Sequence, residues 1–361
     1  MFRYFAVLLG IVSVVFSSTL AQADVFNMGG TRDPVTGTWT GQASLEFVTV
    51  GNPGNATDTR TGSRFGSVPY VYQMGKYDVT VGQYCQFLNA VATTDTYGLW
   101  HSGMATDYPT VGISRSGNSG AYSYSVTGSY SQGVNCPMFA VNWGNAARFC
   151  NWLQNGQPSG AQEAGTTETG AYTLNGSNDG TTLMAITRNS GATYFIPSWD
   201  EWYKAAYYKG GSTNAGYWLY PTQNDSVPSN VLSAAGTNNA NCEDGGYTDP
   251  INKLTPVGTF AASPGTYGTF DMGGDVIQWN EAVFLPPAVR GRGMYGGVWF
   301  SPAFGGLDSR HGAVAGADPM DTFRSIGFRV ASVPEPGSLM LLLAGAISLF
   351  AYAWRRRRQA V

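Results

Sequence analysis

Apolar and polar positions alternate with period two in two early stretches and recur at helical spacing in three later ones. "SLEFVTV" (44–50) alternates like a strand, "GNPGNATD" (51–58) clusters turn formers, and "VPYVYQMGKYDVT" (68–80) resumes the strand pattern. Directly afterwards Val81, Tyr84, Cys85, Leu88 and Val91 fall three or four apart, which predicts a helix over 81–92 capped by Thr80. Ala146, Phe149, Cys150 and Leu153 form one stripe of a second helix over 144–153. A third starts after Ser198, which with Glu201 three residues on has capping-box spacing. Asp200 and Glu201 are neighbours in the chain, and successive helical residues do not face each other, so they suit the positive end of that helix better than an acid–base couple. The stretches 93–135, 154–192 and 211–333 are rich in Gly, Ser, Thr and Asn and read mostly as loops with short strands. The pattern predicts a single α+β domain with low regular secondary structure. Loops on this scale need something to staple them, and metal ions are the obvious candidate.

The two ends follow different rules. Arg3, the apolar run 4–16 and the small residues "AQA" (21–23) predict a secretory signal peptide, 1–23, removed after Ala23. Leu339 to Trp354 carry no charge, and at ~1.5 Å per residue they reach roughly 24 Å. A bilayer core is about 30 Å thick, so this is a short transmembrane helix, with Arg355 to Arg358 marking its cytoplasmic end. On residues alone it is a C-terminal anchor. Together, "PEP" (334–336), the apolar run and the arginine cluster resemble the PEP-CTERM sorting signal. That resemblance implies an exosortase that cuts near the motif and releases the protein to the cell surface or beyond. The expected organisation is therefore signal peptide, a domain over 24–333, and a sorting segment over 334–361 that holds the membrane until it is processed.

Composition narrows the function. Without Arg3, Arg355 to Arg358 and Glu335, 15 of the 20 basic and 22 of the 23 acidic side chains remain, a net charge of −7. Nucleic acid is excluded as a partner, because its binding needs a basic face. All four cysteines, Cys85, Cys136, Cys150 and Cys242, lie in the exported part. Disulfides persist there, but sequence does not choose among three pairings, and buried free thiols on helix faces are an equal reading. His101 and His311, the two histidines, are too far apart in sequence to suggest a metal motif and read as structural.

In chain order, "YDVTVGQYCQFLNAV" (77–91), "PMFAVNWGNAARFCNWL" (137–153), "IPSWDEWYKAA" (196–206), "YGTFDMGGDVIQW" (267–279), "GGVWF" (296–300) and "GFRVA" (327–331) resemble the motifs of the formylglycine-generating enzyme, or sulfatase-modifying factor, family. The resemblance spans roughly 65–332. It implies a single domain of little regular structure, a fold related to C-type lectins, and bound calcium. For true members it also implies a copper-dependent oxidase that turns a sulfatase cysteine into formylglycine with two cysteines of its own. Those two positions hold Ser301 and Gly306 here. Copper(I) prefers soft thiolates, which neither residue supplies, so copper is not expected.

The stretch "GGVWFSPAFGG" (296–306) keeps aromatics on glycine-rich turns. Tyr295, Trp299, Phe300 and Phe304, with Asp308 and Arg310 close behind, are the expected lining of one binding groove, the aromatics able to stack on a peptide or a sugar. Gly306 is a candidate for positive φ. For calcium, the resemblance implies one site at Asp271, the carbonyls of Gly274 and Val276, and Gln278, whose amide replaces a carboxylate. A second is implied at Asn241, the carbonyl of Cys242, Asp249 and the carbonyl of Ile251. Ordinary turn chemistry is the alternative for both aspartates. The expected function is an exported or surface-sorted family member that makes no formylglycine and binds an extracellular peptide or polysaccharide. A divergent enzyme using the same groove is the alternative, and a true formylglycine-generating oxidase comes last.

Overall fold

The computed structural model describes residues 25–61, 64–285, 290–310 and 315–333. The expected signal peptide, the sorting segment and His311 lie outside them.

Three helices carry the predicted stripes inward. Val81–Val91 begins at Thr80, whose side chain accepts from the Gln83 N–H while the Gln83 side chain returns to the Thr80 N–H. Trp143–Gln154 is capped by Asn142, and Trp199–Tyr207 by the Ser198–Glu201 capping box. Each cap satisfies backbone donors that a helix start leaves open. Tyr84, Phe87, Phe149, Trp152 and Phe328 pack ring on ring between the first two helices, with Phe149 5.3 Å from both Phe87 and Phe328.

Two sheets frame these helices. One has five short strands in the order Val25–Phe26, Leu45–Val50, Tyr72–Gly75, Ala331–Ser332, Tyr194–Phe195, all antiparallel, so the last strand among the described residues closes the domain beside the early ones. The other runs Ala315–Ala317, Gly291–Tyr295, Ile277–Phe284, Ile326–Gly327, its last pairing parallel. This second sheet departs from the loops expected over 211–333. Its longest strand starts with four successive buried residues, Ile277 to Asn280, and a strand covered on both faces shows no alternation to read. Residues 208–276, by contrast, form isolated bridges only, such as Tyr220 with Asn224 and Ser229 with Asn239. Side-chain amides complete that segment: Asn238 Nδ2 donates to the carbonyls of Ser226 and Val227, and Asn239 Nδ2 to that of Val231.

Buried ions tie the layers. Arg148 pairs with Glu168, Arg329 with Asp78, and Arg188 with both Glu201 and Glu281. The four cysteines are free and buried. Burial pushes the Cys85 thiol up to about 11 and that of Cys242 up to about 12, which leaves them protonated and inert near neutrality. No helix among the described residues is long and apolar enough to cross a membrane.

Candidate functional site

Strand Gly291–Tyr295 delivers the chain into "GGVWFSPAFGG". Gly296 and Gly297 have φ of 110° and 69°, and a Cβ on Gly297 would lie 2.8 Å from the Gly306 carbonyl oxygen, so the entry requires glycine. Ser301 then closes the turn on itself. Its N–H donates to the Val298 carbonyl (2.8 Å), and its Oγ accepts from the Val298 N–H (3.1 Å). A short helical turn, Ala303–Gly306, brings Gly306 back against Ser301, where a Cβ on Gly306 would stand 2.6 Å from the serine Cβ. Ser301 and Gly306 are thus side by side, and neither carries sulfur. The positive φ expected at Gly306 belongs instead to Gly305, at 91°.

The expected single groove is divided. Tyr295 is core, ringed by Trp199, Trp202, Tyr203 and Tyr207, with its hydroxyl on the Ser309 carbonyl (2.9 Å). Trp299 is only 4% exposed and acts as a pillar: its Nε1 donates to the Tyr108 hydroxyl (2.8 Å), and Tyr247 and Phe300 pack edge-on against it. Asp308 is buried and grips Arg310 through both oxygens (Nη2 to Oδ2, 2.6 Å), and Arg310 faces a different hollow, shared with Arg60 and Lys209. Phe304 is 66% exposed and lines neither.

Phe300, 40% exposed, opens onto a cleft of about 680 Å³ whose other walls are His101, Asp107, Met320, Phe323 and Arg324. His101 and Asp107 converge on Gly103, where a Cβ would meet Asp107 Oδ2 at 2.6 Å and His101 Nδ1 at 3.0 Å. Burial raises the Asp107 carboxyl above its ordinary value, against the opposing pull of His101 and Arg324. The Arg324 guanidinium lies 5.7 Å from the Trp299 ring centre and 5.9 Å from that of Phe300. The cleft, which Asp321 also lines, therefore offers exposed rings, a cation, two carboxylates and an imidazole. Sequence spacing pointed to Phe300 alone. His101, Asp107 and Arg324 come from loops without periodicity, and the structural role read for His101 is visible in its Nδ1, which accepts from the Gly103 N–H (3.1 Å).

The two oxygen sets implied for calcium differ in fit. In the first, Gln278 Oε1 already accepts from Trp202 Nε1 (2.8 Å) and Arg329 Nε (3.2 Å), and its Nε2 donates to the Asp271 carbonyl (2.8 Å). Asp271 Oδ2 takes the Gly258 N–H at 2.6 Å. The Gln278 amide is thus committed to protein partners, which leaves Asp271 with the Gly274 and Val276 carbonyls. In the second set, Asn241 Oδ1 is buried without a hydrogen-bond partner, an open place for a hard cation. The Cys242 carbonyl beside it accepts only at 3.4 Å, from Asn230 and Thr248, while Asp249 is engaged in its own turn with Ile251 and Asn252. Among the described residues no three or more His, Cys, Asp and Glu are grouped to hold a metal ion.

Few helices, small sheets and long side-chain-stapled loops make this a mixed α/β single domain. A family model, the sulfatase-modifying factor enzyme 1-like domain, matches residues 50–333, and the chain belongs to that family. The PEP-CTERM protein-sorting motif matches residues 332–358, which marks the chain for export and surface sorting by an exosortase-type machinery. No curated protein matches in sequence. Among solved structures the chain is similar to CarF (20% identity, 81% of this chain and 99% of that one, TM-score 0.47). It is also similar to PvdO from Pseudomonas aeruginosa (19%, 86% and 98%, 0.46) and to Treponema denticola variable protein 1 (15%, 86% and 99%, 0.45).

Proposed function

We propose that the chain is a surface-sorted binding module that forms no formylglycine and holds an extended peptide in the His101–Phe300–Arg324 cleft. The observation that carries this reading is the Ser301–Gly306 pair. The positions adjoin as a copper-binding pair would, but the serine oxygen is spent on the Val298 N–H and glycine has no donor. A hydroxyl is no substitute for a soft thiolate toward copper(I). For a peptide, Phe300 and Phe323 offer apolar contact, and Arg324 and Asp107 carry opposite charges for backbone and side-chain polar groups. Structural calcium belongs to the same proposal, held at Asn241 and its neighbours. It would act as a staple for the irregular 208–276 segment and take no part in chemistry.

The test is selection of a displayed random-peptide library on the purified exported domain. Enriched peptides should lose at least about tenfold in affinity, or 1.4 kcal/mol, on Arg324→Ala and on Phe300→Ala, and keep it on Phe304→Ala. Peptides that bind all three variants equally would remove the cleft from the account. A second reading, a divergent enzyme, is favoured by the convergence of His101 and Asp107 on Gly103. It would be upheld by a reaction of the bound peptide that His101→Ala stops without weakening binding.

A further inference from the structure

A second cavity, of about 590 Å³, shares no lining residue with the Phe300 cleft. Part of its wall comes from residues between 32 and 46, a segment that precedes the matched family domain at residue 50. Here the hairpin that pairs Thr31–Arg32 with Trp39–Thr40 brings Trp39 to the cavity wall. Its indole Nε1 donates to Glu46 Oε1 (3.4 Å), and Glu46 is held in turn by Lys76 (3.2 Å) and Arg32 (3.6 Å). A second ring, Tyr77, is fixed by stacking on Phe270 at 5.6 Å. Gln42, Gln132 and Asn135 line the same space, with Asn135 Nδ2 donating to Gln132 Oε1 (3.3 Å). Asp78, also lining it, is buried, with Oδ2 on Arg329 (3.2 Å) and Oδ1 without a hydrogen-bond partner.

We propose that this cavity is a saccharide site that takes a neutral pyranose. A pyranose has an apolar C–H face and a rim of hydroxyls that both donate and accept. Aromatic rings suit the face. Amide side chains, which carry a donor and an acceptor on one group, suit the rim, while the Asp78 side chain is fully buried and takes no part. The volume falls in the range of small-molecule sites. The cations do not favour an anionic ligand, since Arg32 and Lys76 are spent on Glu46 and Arg329 on Asp78. The inference is independent of the peptide cleft, because it draws on none of its residues.

The experiment is saturation-transfer NMR on the exported domain with glucose, galactose, mannose and N-acetylglucosamine. At least one sugar should receive saturation from the wild type. Its affinity should fall at least about tenfold in Trp39→Ala and in Gln132→Ala, and remain unchanged in Val35→Ala, which alters the tip of the same hairpin away from the cavity. Both Trp39 and Gln132 sit at the periphery, and unchanged thermal melts of the variants exclude unfolding as the cause. No transfer to any of the four sugars would overturn the proposal. So would transfer that survives Trp39→Ala and Gln132→Ala undiminished.

Discussion

Ser301, Gly306 and Asn241 show how far single residues carry the account. Ser301 and Gly306 were legible because a motif fixes their positions in the chain. Their adjacency was not, since it depends on the break at Gly305 and on a spacing that would bring two Cβ atoms to 2.6 Å. Asn241 makes the opposite point. Motif order put Asp271 and Gln278 ahead of Asn241 as metal ligands, and the hydrogen bonds reverse that order. A buried amide oxygen left without a donor is costly unless a cation or water satisfies it. Calcium should therefore raise the melting temperature of the wild type, corresponding to about 2.7 kcal/mol at 100 times its dissociation constant. The rise should survive Gln278→Ala and disappear in Asn241→Ala. A chelator that leaves the wild-type melt unmoved would show that Asn241 is satisfied by water and that the calcium proposal fails. His101, Asp107 and Arg324 had no sequence signal, because the loops that carry them have no period from which a shared cleft could be read.

Among the elements, the helix Trp199–Tyr207 shows a local signal recruited for long-range work. Its capping box was readable from Ser198 and Glu201. Unreadable was Arg188, from an irregular loop, which donates to Glu201 on the helix (2.7 Å) and Glu281 on strand Ile277–Phe284 (2.7 Å), with its guanidinium 3.5 Å from the Phe195 ring centre. One cation thus joins a helix and both sheets. Burial opposes ionisation of Glu201, but Arg188, the Ser198 N–H and Tyr70 outweigh it and hold the carboxyl below its ordinary value. Its contribution to stability is therefore present above that ordinary value and lost as pH falls through the lower folded one. For Glu281 burial wins, and its carboxyl is raised. Arg188→Met would leave two buried carboxylates without their cation, at a cost of about 3–5 kcal/mol near neutral pH. Both carboxyls would then protonate more readily in the folded variant. The difference in stability between variant and wild type should narrow as pH falls from about 7 toward about 4. Denaturant titrations at several pH values check this. A difference that stays constant with pH would assign the role of Arg188 to packing on Phe195 instead of charge.

For the molecule as a whole, the α+β class, the three helices and the family were open to reading, because amphipathic stripes, caps and ordered motifs are local features of the chain. The sheet built from Ile277–Phe284 was hidden by burial on both faces, and the 208–276 segment owes its shape to amide side chains that follow no pattern. What the fold sustains in this chain is a family scaffold, tagged for surface sorting, in which Ser301 and Gly306 stand side by side. The central proposal is that this scaffold does not oxidise cysteine. The most direct measurement incubates the wild-type exported domain with copper, oxygen and a sulfatase-type cysteine peptide and reads the peptide's mass. The peptide is predicted to emerge with its cysteine unconverted to the aldehyde, even at excess copper. Enzyme-dependent, multiple-turnover formation of formylglycine would contradict the account, because it would require a route to the oxidation that dispenses with the thiolate pair.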